Sequence, residues 1–236
     1  MPAKRPFLRR LLRWTGIAAL TWIVLTVSIV FALRFVPPLS SAFMLGRRID
    51  AALEGPPGFS VHYRWTPLEK ISANLPIALV AAEDQKFPQH HGFDVDAIQT
   101  ALAEADEGAR LRGASTISQQ VAKNLFLWNG RSFIRKGFEA YFTVLLETLW
   151  PKRRIIEVYL NIAEFGDGIY GVAAASERYF GVTPAQLSTH QAALLAAVLP
   201  NPRRLHADRP SPYVQRRANW IERQVRQLGG PGYLDP

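Results

Sequence analysis

The sequence predicts a mostly α-helical domain that follows one N-terminal membrane-spanning helix. An uncharged run of twenty residues, 14–33, is long enough to cross a bilayer. Further along, apolar residues recur at helical spacing on a stripe that includes Phe138, Phe142 and Leu145. Signals for helix starts recur as well, among them the capping box that opens at Thr116. No internal repeat or low-complexity tract interrupts this pattern.

The N-terminal run is predicted to be a retained anchor. At 1.5 Å per residue a helix over residues 14–33 spans about 30 Å, the thickness of the hydrocarbon core. Five basic residues precede the run and Arg34 follows it, which predicts a cytoplasmic N-terminal tail over residues 1–13. A cleaved signal peptide is the alternative, but its apolar region usually has only about 7–15 residues and ends in small residues. The folded domain is therefore expected on the far side of the membrane.

The charge and the cysteine count exclude several classes of function. The net charge is +9, but +6 of it belongs to the first 34 residues, so the rest of the chain carries only +3. A nucleic-acid-binding domain would have its positive charge on the folded part. The chain has no cysteine, which excludes disulfides and thiolate metal sites. No His-Glu-x-x-His spacing occurs, so the sequence does not indicate a zinc hydrolase.

The segment that joins the anchor to the main domain, residues 34–70, has mixed character. Pro37-Pro38 predicts a stiff hinge, and apolar residues near helical spacing over 43–53 predict an amphipathic helix. That helix could lie at the lipid headgroups or could be an ordinary surface helix. Gly55-Pro56-Pro57-Gly58 ends it, and one short extended piece is expected over 59–65.

The remaining chain is predicted to be helical with chemically distinctive loops. Helices are expected at 74–85, 94–107, 133–150, 152–163, 189–199 and 212–228. Capping boxes at Thr116 and Thr183 mark further helix starts. The prolines of the Leu199–Arg204 stretch predict a rigid turn there.

The first candidate for chemistry is the stretch from Ala81 to Gly92. It places Glu83 and Asp84 where an apolar helix opens into a loop that contains His90. A carboxylate at such a boundary can be half desolvated, which raises its pKa towards the range of a general base. The alternative is a helix end with solvated charges.

Two further stretches could bind an anion. Ser115, Thr116, Gln119 and Gln120 lie at a helix start, where an anion or a sugar hydroxyl could bind; the alternative is a well-capped helix. Arg135, Lys136 and Glu139 share a helix face at i,i+3 and i,i+4 spacing. With Lys123 they could hold a diphosphate, with or without a metal ion, or they could form an exposed ion-pair cluster.

These stretches, in this order, resemble the family 51 peptidoglycan glycosyltransferases. The family pattern Glu-Asp-x-x-Phe-x-x-His-x-Gly is matched from Glu83 to Gly92, and Arg-Lys-x-x-Glu from Arg135 to Glu139. A Gly-Gly-Ser-Thr-Ile-Thr-Gln-Gln stretch is matched except at Ala114 and Ser118, which keep the small size and the hydroxyl. Lys-x-x-Ile-x-Glu-x-Tyr-Leu-Asn is approached over residues 153–161. The resemblance covers about residues 70–230.

The resemblance implies a fold and a location. The family fold is a lysozyme-like α-helical lobe with a smaller membrane-proximal jaw lobe. On this basis residues 34–70 form a linker and jaw segment, 71–230 the catalytic domain and 231–236 a tail. The expected location is the bacterial cytoplasmic membrane, with a single-pass anchor and the catalytic domain on the periplasmic side. Neither Ser-x-x-Lys nor Lys-Thr-Gly occurs, so the chain resembles the monofunctional enzymes that have no transpeptidase.

The resemblance also implies a reaction and its residues. The enzyme would polymerise lipid II into β-1,4 glycan strands with inversion and release undecaprenyl diphosphate. Glu83 matches the general base. Lys123, Arg135 and Lys136 match diphosphate-binding positions, and Glu139 would orient them or act through a divalent cation, Mg2+ or Mn2+. The other residues assigned to the substrate site are Asp84, His90, Ser115, Thr116, Gln119 and Gln120.

Expected partners are lipid II, the lipid-linked glycan strand, the membrane and proteins of cell wall synthesis and division, with no nucleic acid. A wall-cleaving muramidase or lytic transglycosylase is the rival enzyme class. It would need an acid catalyst for a sugar leaving group and no cations for a diphosphate. An anchored scaffold with an inactive site is the rival without catalysis.

Overall fold

The computed structural model describes residues 4–54, 58–106, 115–130 and 132–234. The chain divides into two compact units, Met1–Pro37 and Pro38–Pro236. The first contains α1, Lys4–Leu33. Within it, Arg9–Leu33 contains an 18-residue window with a mean hydropathy of 2.3 and is long and apolar enough to cross a membrane. The predicted span, 14–33, lies inside this stretch, so the expected N-terminal apolar helix is confirmed.

The second unit is mainly helical. Its helices are α2 (Ala42–Glu54), α3 (Asn74–Glu83), α4 (Val95–Asp106), α5 (Ile117–Phe126), α6 (Phe133–Leu149), α7 (Lys152–Ile162), α8 (Gly171–Phe180), α9 (Thr189–Val198) and α10 (Pro212–Gln227). Its strands are β1 (His62–Tyr63), β2 (Glu164–Gly166) and β3 (Ile169–Tyr170). Three 3-10 turns cover Leu68–Lys70, Pro184–Gln186 and Pro231–Leu234. The expected mostly α fold is confirmed.

The core is built around two short helices that are apolar on every face. In α3 every residue from Leu75 to Ala81 is buried, and in α9 every residue from Ala192 to Val198 is buried. A helix without a polar face must be surrounded by protein, and α3 packs against both α9 and α10. The last residue of α3 is Glu83. Burial of this helix therefore brings a carboxylate to the edge of the core.

A small sheet completes the unit, in the strand order β1-β3-β2. β1 runs parallel to β3, and β2 runs antiparallel to it. Gly171 joins β3 to α8 with φ of +78°, and a Cβ there would lie 2.5 Å from the Asn161 carbonyl oxygen. Only glycine fits this position, because both the backbone conformation and the space exclude a side chain.

The sequence did not predict β2, β3 or α8. Strands of two and three residues are too short to show alternation. Helix α8 begins at a glycine, and its N-cap, Tyr170, makes no side-chain capping bond. The capping box at Thr183 opens only the 3-10 turn Pro184–Gln186, because Ser188 caps a new helix directly afterwards. The extended piece expected over 59–65 contains β1 at His62–Tyr63 only.

Some predictions fall outside the described residues. They are the Gly55-Pro56-Pro57 break, the end of the helix expected over 94–107, Gly113 and Ala114, and the last two residues of the tail. The predicted helix over 43–53 is confirmed by α2, whereas its position at lipid headgroups stays a prediction. The assignment of residues 34–70 to a jaw and 71–230 to the catalytic domain also stays a prediction.

Asn161 ties the segment after β1 to α7. Its side chain is buried; Oδ1 accepts the Thr66 N–H at 2.8 Å, and Nδ2 donates to the Thr66 carbonyl at 2.9 Å. Nδ2 also donates to the Glu157 carbonyl at 2.8 Å. The amide thus replaces a strand partner for Thr66, whose backbone polar groups would otherwise be buried without bonds.

We expect Asn161→Ala to destabilise the domain. An unsatisfied buried polar group costs about 1–3 kcal/mol, and the substitution leaves both backbone groups of Thr66 without this partner. The full chain in detergent should melt roughly 6–12 °C lower if about 3 kcal/mol is lost. The control is Asn219→Ala, at an exposed position on α10. Equal melting temperatures for the two variants would contradict the assigned role.

Candidate active site

Glu83 and Asp84 leave the end of α3 in different environments. Asp84 is the C-cap residue, and its side chain is only 2% exposed. The Glu83 side chain is 18% exposed. The Asp84 carboxylate is therefore internal, whereas the Glu83 carboxylate reaches the surface of the domain.

Asp84 holds the start of α5 against the loop that follows α3. Its Oδ2 accepts the Ile117 N–H at 2.9 Å, and its Oδ1 lies 2.9 Å from His90 Nε2. His90 Nδ1 accepts the Gly92 N–H at 3.1 Å, so the ring proton lies on Nε2 and is donated to Asp84. A carboxylate at a helix N-terminus is also favoured by the helix dipole.

The predicted polar residues at the start of α5 divide into two groups. Thr116 and Gln119 are buried and bond one another in the capping box, and Thr116 Oγ1 also donates to the Gly92 carbonyl at 2.7 Å. Ser115 is exposed, and Gln120 is partly exposed. The polar groups of Thr116 and Gln119 are thus engaged within the protein, whereas Ser115 and Gln120 can be reached from outside.

Glu83 lies in an environment that raises its pKa. Burial is the largest cause, because it disfavours the charged form. The effect is partly offset by Gln120 Nε2, which donates to Oε2 at 3.2 Å, and by the charges of Arg217 and Lys123. Arg217 Nη2 lies 3.5 Å from Oε1. The carboxylate can therefore take up a proton more readily than a solvated glutamate.

The second set of predicted residues forms a cluster on α5 and α6. The Glu139 side chain is 3% exposed; it pairs with Arg135 Nη1 at 2.7 Å and with Lys136 Nζ at 2.5 Å. Burial lowers the pKa of Lys123, and the charge of Glu139 opposes that effect. Within the described part of the chain Lys123 makes no ion pair, and its Nζ lies 5.7 Å from the centre of the Phe43 ring. Two cations thus pair with Glu139, and the third, Lys123, feels its charge without an ion pair.

Two cavities lie beside Lys123, and one of them also meets Gln120, the hydrogen-bond partner of Glu83. One, of about 380 Å³, is lined in part by Gln120, Lys123 and Tyr159. The other, of about 480 Å³, is lined by Phe43, Lys123, Asn129, Gly130 and Arg135. Since the two share Phe43, Lys123 and Asn129, they form one cleft. A larger groove of about 1060 Å³ beside β1 and α8 contains no residue of either set.

The described side chains around this cleft do not form a set of ligands for a metal ion. Among the described residues no group of three or more His, Asp or Glu side chains lies close enough to hold an ion. Both oxygens of Glu139 are occupied by Arg135 and Lys136. The positive charge in this cleft comes from side chains, and the described residues do not supply the ligands of a Mg2+ or Mn2+ ion.

Sequence reasoning missed two residues of this region. Arg217, on α10, reaches Glu83 although the two are far apart in the chain. Tyr159, on α7, falls in the motif of residues 153–161 without an assigned role, and it is buried with its hydroxyl turned to Gln120. No local pattern shows these contacts, because the partners lie on other helices.

The sequence that builds this site is similar to known transglycosylases. The family profile described as Transglycosylase matches residues 54–226. The chain is 56% identical over 226 residues to the biosynthetic peptidoglycan transglycosylase of Xanthomonas campestris pv. campestris (strain B100), covering 96% of this chain and 92% of the relative. It is 55% identical over 230 residues to the protein of the same name from Xylella fastidiosa (strain 9a5c), covering 98% and 93%. With the desolvated carboxylate and the cation cluster inside the matched region, the chain belongs to the transglycosylase family.

Proposed function

We propose that this protein is a peptidoglycan glycosyltransferase that polymerises lipid II into glycan strands for the cell wall. The observation that carries the proposal is a desolvated carboxylate, Glu83, whose partner Gln120 lines a cavity together with Lys123. Lys123 belongs to the cation cluster that also contains Arg135 and Lys136. Membership of the transglycosylase family and the names of the relatives support the same reaction. The first test is incubation of the purified protein with labelled lipid II, which should give polymer.

Glu83 is proposed as the general base. The 4-hydroxyl of the acceptor GlcNAc attacks C1 of the donor MurNAc, and its proton passes to the Glu83 carboxylate. The new C–O bond forms as the bond from C1 to the diphosphate breaks, so the α-linked donor gives a β-1,4 linkage. No carboxylate becomes a covalent nucleophile in such an inversion. A positioned base of this kind accelerates the reaction by about 10²–10⁴.

The cations are proposed to stabilise the departing diphosphate. This leaving group is already an anion, so it needs positive charge more than a proton. Lys123 has no ion pair within the described chain, and Arg135 has a buried Nε without a hydrogen-bond partner there. Both can therefore donate to phosphate oxygens. Glu139 positions Arg135 and Lys136 by accepting one bond from each.

The remaining site residues are proposed to act in two ways. Asp84, His90, Thr116 and Gln119 have their polar groups engaged with one another and with backbone, so they position α5 and the loop rather than bind the sugar. Ser115 and Gln120 remain able to contact substrate hydroxyls.

The membrane context fits the lipid substrates. The charge difference across the anchor supports a cytoplasmic N-terminus and a periplasmic catalytic domain. Phe133, at the first turn of α6, is 97% exposed, and Ile134 beside it is also exposed, directly before Arg135 and Lys136. Apolar side chains next to phosphate-binding cations suit a bilayer surface.

We also propose that the chain has no transpeptidase activity and works with proteins of cell wall synthesis and division.

The lipid II assay separates this proposal from its rivals. A wall-cleaving enzyme would leave lipid II unpolymerised and would cut preformed glycan strands. An inactive scaffold would do neither.

The same assay with a chelator tests for a metal ion. Polymer formation that resists the chelator would assign the charge stabilisation to the side chains. Loss of polymerisation with the chelator and its recovery with Mg2+ or Mn2+ would add a cation to the diphosphate.

We expect Glu83→Gln to abolish polymerisation while the protein folds and stays in the membrane. The amide keeps the shape of the carboxylate but cannot accept the proton, so turnover should fall by about 10²–10⁴. The measurement is polymer formed from labelled lipid II, with the melting temperature as the check on folding. Glu177→Gln, at an exposed position on α8, is the matched control. Turnover like wild type in Glu83→Gln would remove the base assignment.

The activity should fall with decreasing pH as Glu83 becomes protonated. Burial raises the pKa of Glu83, so the acid limb of kcat/KM should lie above the usual range of glutamate. Arg217 opposes that rise, and Arg217→Gln should therefore move the limb to higher pH. Arg226→Gln, on the last turn of the same helix, is the control. A limb that stays in place in Arg217→Gln would show that this arginine does not act on the base.

We expect Lys136→Ala to raise the KM for lipid II and to lower turnover. Loss of one charge-assisted contact to the diphosphate should reduce kcat/KM roughly tenfold. Lys70→Ala removes an exposed lysine outside the cluster and serves as the control. Unchanged kinetics in Lys136→Ala would mean that its pair with Glu139 is only a surface ion pair.

A further inference from the structure

Tyr159 is connected to Glu83 through a single side chain. Its hydroxyl donates to Gln120 Oε1 at 3.0 Å, and Gln120 Nε2 donates to Glu83 Oε2 at 3.2 Å. The three residues come from α7, α5 and α3. Tyr159 is among the largest fully buried side chains of the domain. The proposed mechanism uses Glu83 but gives this phenol no role.

The orientation of the Gln120 amide decides whether Glu83 faces a hydrogen-bond donor or an acceptor. The oxygen and the NH2 group of a glutamine have nearly the same shape, so only hydrogen-bond partners select the orientation. With NH2 towards Glu83 the amide donates to the carboxylate. With the oxygen towards Glu83 two acceptors would face one another, an arrangement that suits only the protonated acid. The orientation of the amide and the protonation of Glu83 are therefore linked.

Tyr159 favours the first orientation. Burial raises the pKa of the phenol far above its usual value, and the charges of Glu83 and Asp84 act in the same direction. The group therefore keeps its proton and can donate it to the Gln120 oxygen. A phenylalanine in its place would keep the ring and the packing but would leave that oxygen without its donor.

We propose that Tyr159 is a positioning residue for the base: by donating to Gln120 it keeps the amide N–H groups on Glu83 and so favours the ionised carboxylate. The inference rests on the proposed function, because it assumes that Glu83 accepts the proton of the acceptor hydroxyl. The bond from Gln120 occupies Oε2. Among the described residues Oε1 accepts no hydrogen bond and meets Arg217 Nη2 at 3.5 Å, so Oε1 is the oxygen left to take the proton.

The charged groups that face Glu83 are few within the described chain. Arg217 approaches from α10 and Lys123 from α5, and both favour the ionised form, whereas the neighbouring Asp84 disfavours it. Glu83 and Asp84 are the charges that act on Tyr159. Since a substitution of Tyr159 removes no charge, any change in the titration of Glu83 must come through the hydrogen bonds.

The test is the pH profile of lipid II polymerisation by full-length Tyr159→Phe. We expect the acid limb of kcat/KM to move to higher pH, because the carboxylate loses part of the donor that stabilises it. Near neutral pH kcat should fall about fivefold, the equivalent of about 1 kcal/mol at 1.36 kcal/mol per tenfold. Tyr179→Phe is the matched control, because its hydroxyl bonds the Phe165 carbonyl outside this chain of bonds. It should leave the limb in place.

A double-mutant cycle tests whether the effect passes through Gln120. Gln120→Met removes the amide at similar volume and should shift the limb in the same direction as Tyr159→Phe. Adding Tyr159→Phe to Gln120→Met should then cause no further shift. Gln120→Met also keeps the inference testable if Tyr159→Phe fails to fold, because Tyr159 is intact in that variant.

If the wild type forms polymer, the proposed function stands, and three outcomes would still overturn the inference about Tyr159. The first is an acid limb in folded Tyr159→Phe that coincides with wild type. The second is an unshifted limb in Gln120→Met. The third is a full additional shift from Tyr159→Phe in the Gln120→Met background. Failure of the proposed function is distinct, since the wild type itself would then form no polymer.

Discussion

The Asp84 carboxylate is the contact on which the geometry of the cleft depends. It accepts hydrogen bonds from the first N–H of α5 and from His90 Nε2, and it is almost completely buried. Through these bonds the end of α3, the following loop and the start of α5 are held in one arrangement. Glu83 on α3 and Lys123 on α5 can therefore lie close enough for their charges to act on one another. A carboxylate suits this position because a helix start offers free N–H groups and positive potential.

Burial shifts the pKa values of Glu83 and Lys123 in opposite directions. It raises the pKa of Glu83 and lowers that of Lys123, since each loses the water that favours its charge. Neighbouring groups limit both effects: Gln120 and Arg217 stabilise the carboxylate, and Glu139 stabilises the lysine. The site therefore combines a carboxylate that can take up a proton with cations that outnumber their carboxylate. A glycosyl transfer that releases a diphosphate needs both.

The sequence predicted the helices that carry strong local signals and missed those that do not. The all-apolar stretches of α3 and α9, and the capping box of α5, could be read directly. Helix α8 and the strands β2 and β3 could not, because α8 starts at a glycine without a side-chain cap and the strands are too short to alternate. Gly171 belongs to this missed region, where contact with the Asn161 carbonyl excludes any side chain.

By itself the sequence determined the apolar anchor helix, the mostly α fold and the residue types of the cleft, since hydropathy, periodicity and motif spacing are local properties. The tertiary structure decided which partner each polar residue has. Thr116, Gln119, Asp84 and His90 resemble substrate-binding residues in the sequence, but their polar groups bond one another. Arg217 has no local signal, and the motif that contains Tyr159 does not show its contact, yet Arg217 meets Glu83 directly and Tyr159 meets it through Gln120. The reason is that desolvation and hydrogen-bond partners depend on segments far apart in the chain.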